Sequence, residues 1–209
     1  MVREHELEFQ LNFFTEAASR FKLTVCNTLA GVMVNPDFSY DEYEKNGSAA
    51  ANEENWKWAA EGYKKLGQLA EKIGFKFAFE THMCYIHDMP APARKLADEI
   101  NSPAVGVNLD YGNQVYFRNT KIPTIHEAID CIGDKLFYVH LKNSNGLPDG
   151  SRLPCGLGEG EINHREYLKH LKRTGFDGPI CIEAPREGDR EWFAQQDLTY
   201  IKQLTKEIG

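Results

Sequence analysis

The 209-residue chain has 24 Lys and Arg against 31 Asp and Glu, a net charge of −7, and is 42% apolar. This is enough apolar material to bury a core, and the simplest organisation is one domain over residues 1–209. The acidic balance argues against nucleic-acid binding, which uses a basic patch or stripe, and no run approaches the roughly 18 apolar residues of a membrane span.

Met1-Val2-Arg3-Glu4-His5-Glu6 leads into a charged amphipathic segment rather than a secretory apolar region. Leu7, Leu11, Phe14, Ala18 and Phe21 recur at steps of four and three and predict a first helix. A strand over residues 23–28 follows. Residues 35–54 carry Pro36, Asp37, Ser39, Asp41, Asn46, Gly47 and Ser48 and predict a long loop, either a surface connection or a lid. A second helix over residues 55–73 shows Trp56, Ala59, Tyr63, Leu66 and Ala70 on one face, with Gly74 at its end. Strands are expected at residues 75–80, 105–110, 135–141 and 179–183. Helices are expected at 91–100, from Thr124 with its capping-box Glu127 to Gly133, from Asn163 to about Gly175, and around Trp192, Leu198, Ile201 and Leu204. Cys26, Cys84, Cys131, Cys155 and Cys181 are odd in number and form no CxxC pair, which suits free thiols in a reducing cytoplasm.

Strands alternating with helices predict a parallel sheet with right-handed crossovers. An open doubly wound sheet would place a glycine-rich turn directly after a strand if it bound nucleotides. Gly156, Gly158 and Gly160 follow no predicted strand, and an α/β barrel is favoured. Four of the five strands end in a metal-competent side chain: Glu80, Asp110, His140 and Glu183. Their intervals are 30, 30 and 43 residues, and thirty is about one βα unit. Active sites of parallel barrels lie at these strand ends, so the four are expected to converge. One strand-end carboxylate is more often a cap or a solvated group; four in register reverse that balance. Three carboxylates and an imidazole suit Mn²⁺ first, with Mg²⁺, Co²⁺ or Zn²⁺ as alternatives. Alternation along the strands adds His82, Asn108 and Lys142 to the same face. Lys142 is positioned to stabilise an oxyanion. For His82, Lys142 and Arg186 a structural role, satisfying loop backbone, weighs equally with a functional one.

Phe79-Glu80-Thr81-His82, Asn108-Leu109-Asp110, Val139-His140-Leu141-Lys142-Asn143, Gly156-Leu157-Gly158-Glu159-Gly160-Glu161-Ile162 and Ile182-Glu183 together resemble the xylose isomerase-like TIM-barrel superfamily of sugar isomerases and epimerases. The resemblance spans residues 23–204. It implies a (β/α)8 barrel in which Glu80, Asp110, His140 and Glu183 ligate one divalent ion. It also implies that Glu80 and Glu183 serve as the acid–base pair next to a substrate carbonyl, with a metal-stabilised enediolate and with Lys142 and His82 auxiliary. Two departures stand out. Asn113 occupies a position where many relatives carry histidine, and its amide can only hydrogen-bond, as a substrate contact. Gly146 replaces an arginine of the epimerases, for which Arg152 is the candidate substitute; Arg186 is a further candidate substrate contact.

The resemblance therefore implies a sugar or polyol isomerase or epimerase. A dehydratase or keto-glycoside lyase of the same superfamily is the alternative, and a non-catalytic or partner-dependent barrel fragment is the alternative of another class. A complete barrel takes about 250 residues. With five βα units visible, the N-terminal ones are expected to be missing and the barrel incomplete. A second copy or a partner is then expected to cover its open edge.

Overall fold

A computed structural model of the protein describes residues 2–118, 120–183 and 186–209, with the side chains of Val2, Arg3, Glu4 and Leu7 also outside the description. Leu7 of the expected first apolar stripe thus lies outside the described side chains. Among the described residues the strands are β1 (Val25–Thr28), β2 (Lys76–Glu80), β3 (Val105–Asp110), β4 (Leu136–Leu141), β5 (Asn143–Gly146), β6 (Arg152–Cys155) and β7 (Ile180–Ile182). The α-helices are α1 (Val2–Phe21), α2 (Glu53–Ile73), α3 (Pro90–Ile100), α4 (Tyr111–Gln114), α5 (Ile125–Ile132), α6 (His164–Arg173) and α7 (Arg190–Ile208). Among the described residues no helix is long and apolar enough to cross a membrane.

Local chemistry sets the helix ends. Asn52 caps α2 by accepting from the Asn55 amide, and the Asn55 side chain answers the Asn52 amide, so the helix starts at Glu53, two residues before its expected start. It stops at Gly74, whose φ of 81° closes the last turn. Thr124 and Glu127 form the expected capping box of α5.

The large sheet runs β1-β2-β3-β4-β7, every pair parallel and the order that of the chain. A doubly wound sheet reverses its order at a switch point; none occurs here. Along the same path α2 packs on α3, α3 on α5, α5 on α6 and α6 on α7, so these helices make one outer layer. β1 also approaches β4, three strands away, because the sheet curls. This is the wall of a TIM barrel, incomplete at five parallel strands. Its outward face (Phe77, Phe79, Val105, Val107, Leu109, Val139 and Leu141) is fully buried against Leu96, Ile129, Ile132 and Leu171 of the helices. Each such side chain contributes about 1.5–3 kcal/mol.

One irregularity positions the site. β3 and β4 pair Val107 with Leu136, then skip Phe137 and pair Asn108 with Tyr138, so that Asp110 stands opposite His140. Were Phe137 paired in turn instead of skipped, Asp110 would face Val139, whose side chain belongs to the outer core. Gly106 makes room for the skipped residue: a side chain there would collide with the Phe137 ring and the Lys135 carbonyl.

Two connections carry more structure than their sequences suggest. Residues 35–54 contain two short 3-10 turns, Tyr43–Lys45 and Gly47–Ala50. They wrap around the buried Asn46, whose Nδ2 donates to the carbonyls of Ser39, Tyr40 and Glu42 while its Oδ1 accepts from the Asn35 amide. Asp88 fastens the segment to the body by accepting from the Ser48 amide at 3.0 Å. Within the glycine- and proline-rich stretch after β4, β5 and β6 form an antiparallel hairpin.

Candidate metal centre

Each ligand candidate sits at or just past the carboxyl end of its strand. Glu80 closes β2, Asp110 closes β3, His140 is the penultimate residue of β4, and Glu183 follows β7. Their positions are staggered rather than equivalent. Glu80 lies opposite Asn108, two residues short of Asp110, while His140 lies opposite Cys181, two residues short of Glu183. Barrel strands tilt and shear, and the stagger compensates for the tilt so that all four side chains reach one point. One ligand atom from each lies within 4.8 Å of the others. His140 Nδ1 stands 3.5 Å from Glu80 Oε2, 3.5 Å from Glu183 Oε2 and 3.8 Å from Asp110 Oδ2. Donors bound at about 2.0–2.2 Å lie up to about 4.4 Å apart across an ion, so small side-chain adjustments suffice to enclose one.

The electrostatics favour a cation. Glu80, Asp110 and His140 are buried, and His140 Nδ1 has no aligned hydrogen-bond partner among the described residues. Lys142 Nζ lies 2.8 Å from Asp110 Oδ2 and 3.0 Å from Glu183 Oε2. Once Asp110 is ionised, one ammonium and an imidazole face three carboxylates, which leaves negative charge in a largely dry setting. Burial pushes the Asp110 carboxyl up to about 8 despite Lys142. Burial opposes charge on His140 and on Lys142, yet the surrounding carboxylates outweigh it and raise both. His140, and behind it Lys142, holds Glu183 well below the usual carboxylate range. A donor set of oxygens and one nitrogen with this charge fits a hard divalent ion.

The other expected residues are distributed differently. Lys142 joins the cluster. His82 is half-buried two residues past Glu80, its Nδ1 3.0 Å from the Met83 carbonyl and its ring edge-on to Tyr85. Asn113 is buried, and its Nδ2 donates to Glu80 Oε1 at 2.9 Å and to the Thr81 carbonyl at 3.0 Å. Arg152 braces the β5–β6 hairpin, donating to Ser144 Oγ at 2.8 Å, Glu161 Oε2 at 2.6 Å and the Val115 carbonyl at 3.2 Å. Arg186 pairs with Asp197 and lies over Phe193, both on α7. In the Gly156–Gly160 loop, Gly156 N donates to Glu159 Oε2 and Leu157 N to Asp197 Oδ1 of α7. Asn27 of β1 is an addition from the structure, donating to Glu80 Oε2 at 2.8 Å. The available signal was an asparagine inside a strand, where side-chain alternation aims it at the barrel interior.

Residues 10–204 match the protein family described as xylose isomerase-like TIM barrel. The chain belongs to this family. Among curated relatives it is 26% identical over 199 residues to inosose dehydratase of Clostridium perfringens, covering 86% of this chain and 62% of that protein. It is 24% identical over 131 residues to fructoselysine 3-epimerase of Escherichia coli O157:H7, covering 61% of this chain and 45% of the epimerase. The chain thus spans about three fifths of the length of the dehydratase. In fold it resembles a xylose isomerase-like TIM barrel protein from Mycobacterium smegmatis solved in complex with magnesium. That likeness has a TM-score of 0.78 at 22% identity and covers 98% of this chain and 68% of the other. The family's relatives therefore include both dehydratases and epimerases.

Proposed function

We propose that the chain is a metal-dependent enzyme that removes a proton from the carbon next to a carbonyl of a polyol or sugar, and that loss of water follows. The observation that carries this reading is the unequal setting of the two glutamates. The Glu183 side chain is 44% exposed at the mouth of the cluster, whereas Glu80 is buried and both its oxygens accept from amides. Inverting a stereocentre through the two glutamates requires an acid–base group on each face of the carbon. A β-elimination requires one base, plus one acid near the leaving group.

Glu183 is the base. As it takes the C–H proton, the electron pair forms a C=C bond and the C–O bond to the β-hydroxyl breaks. The Lys142 ammonium, 3.0 Å from Glu183, supplies the proton with which that hydroxyl departs as water. Glu80, Asp110, His140 and Glu183 would hold the divalent ion, Mn²⁺ or Mg²⁺ by donor type, which when bound stabilises negative charge on the carbonyl oxygen. His82 would meet the substrate at the rim. The likeness to inosose dehydratase, over most of this chain, supports elimination. The likeness to a 3-epimerase supports a second reading, in which Glu80 also exchanges a proton.

The Mn²⁺-loaded protein should be incubated in D₂O with an inosose and with a set of 2-ketohexoses. Elimination is expected from the inosose, read as a conjugated product in the ultraviolet, and Glu183→Gln is expected to lower the rate by about 10²–10⁴-fold. A ketohexose stereoisomer formed without water loss selects the second reading. If no substrate loses water or exchanges its C–H for deuterium, both readings fail.

A further inference from the structure

We infer that Asn27, Asn108 and Asn113 form an amide cradle whose role is to orient the Glu80 carboxylate for the metal; the inference rests on the metal reading of the cluster. The cradle draws on three elements, β1, β3 and α4, and closes on the end of β2. Both Glu80 oxygens are engaged, Oε1 by Asn113 Nδ2 at 2.9 Å and Oε2 by Asn27 Nδ2 at 2.8 Å.

An asparagine amide carries a donor end and an acceptor end, and an unconstrained one can present either. Neither is unconstrained here. Asn108 Nδ2 donates to Asn27 Oδ1 at 3.1 Å, so Asn27 turns its NH₂ toward Glu80. Asn113 Nδ2 also donates to the Thr81 carbonyl at 3.0 Å; reversing that amide would set its oxygen against both the carbonyl and the carboxylate. Asn108 and Asn113 are buried, so these bonds act at low local dielectric, where they are strong when made and costly when lost.

The cradle also accounts for the contrast with Glu183, which Lys142 and His140 approach while its side chain stays 44% exposed. Glu80 is held from two sides, and Oε2 stays 3.5 Å from His140 Nδ1 within the cluster. Partners of this kind change metal affinity by about 10–100-fold. Asn27, Asn108 and Asn113 are thus positioning residues.

The test is calorimetric titration of the full chain with Mn²⁺, alongside melting of the metal-free protein. Asn27→Leu and Asn113→Leu are each expected to weaken Mn²⁺ binding by about 10-fold or more. A purely structural role would lower the metal-free melting temperature and leave the affinity of the folded protein at the wild-type value; that result overturns the cradle. If Asn113→Leu fails to fold, Asn27→Leu, at a half-buried position on β1, decides alone. Should wild type and Glu80→Gln bind Mn²⁺ equally poorly, the metal reading itself falls. Strong wild-type binding with unchanged leucine variants removes the cradle only.

Discussion

Lys142 brings a positive charge to within 3.0 Å of two carboxylates that an ion would also need. Its loss should therefore move binding and turnover in opposite directions. Lys142→Met removes a competing cation from Asp110 and Glu183, and Mn²⁺ should bind several-fold tighter by calorimetry. The same change removes the proposed proton donor, and turnover should fall by about 10²-fold or more. Weaker Mn²⁺ binding in the variant would contradict the competition. Convergence of the four ligand candidates with Lys142 was legible in the sequence, because strand ends about one βα unit apart share a pole of the barrel. The contact of Asn27 with Glu80 was not, because the two lie 53 residues apart and nothing local marks the pairing. Arg152 and Arg186 show the converse: a long side chain reaches several acceptors, and spacing does not rank Glu161 or Asp197 above a substrate.

At the scale of elements, the alternation of strands and helices and the caps at Thr124, Asn163 and Gly74 could be read directly, since each depends on neighbours within a few residues. Three features could not. α4 is one turn, too short for an apolar period, and is set by Asp110 capping its own successor Asn113. The β5–β6 hairpin lies between the strand expected at residues 135–141 and the helix expected from Asn163, where no element is expected, although Pro148-Asp149-Gly150 is a turn signature and Gly150 has a φ of 82°. The order around Asn46 needs several backbone carbonyls brought together at once, which composition does not encode.

For the molecule as a whole, the singly wound strand order distinguishes barrel from open sheet, and the curl brings one pole to a point. Its buried histidines set an acid limit on stability. Burial pulls His164 down to about 4, and His87 likewise, well below the ordinary 6.5. The folded state thus disfavours their protonation. Their stability contribution is complete above about pH 6.5 and is lost as pH falls toward 4, by about 2–3 kcal/mol per group. Asp88 acts in the opposite sense: burial raises it to about 6, so its contribution is present at low pH and is lost as pH rises through 6. His164→Phe keeps a ring beside Tyr167 and removes one titration. Its melting temperature should decline less than that of wild type between pH 7 and pH 4.5, and parallel declines would rule out His164 as a source.

The skipped residue in β4 makes that strand a ruler with one tick too many, and the site depends on that tick being passed over. Substituting Phe137 alters packing beside Gly106 and leaves the count intact. Inserting one further residue after it shifts the frame by one, bringing Val139 rather than His140 into line with Asp110, although every ligand is still encoded. Such a protein should keep its helical circular dichroism and lose Mn²⁺ binding. Sequence comparisons that score only the identity of the four ligands would pass it as intact.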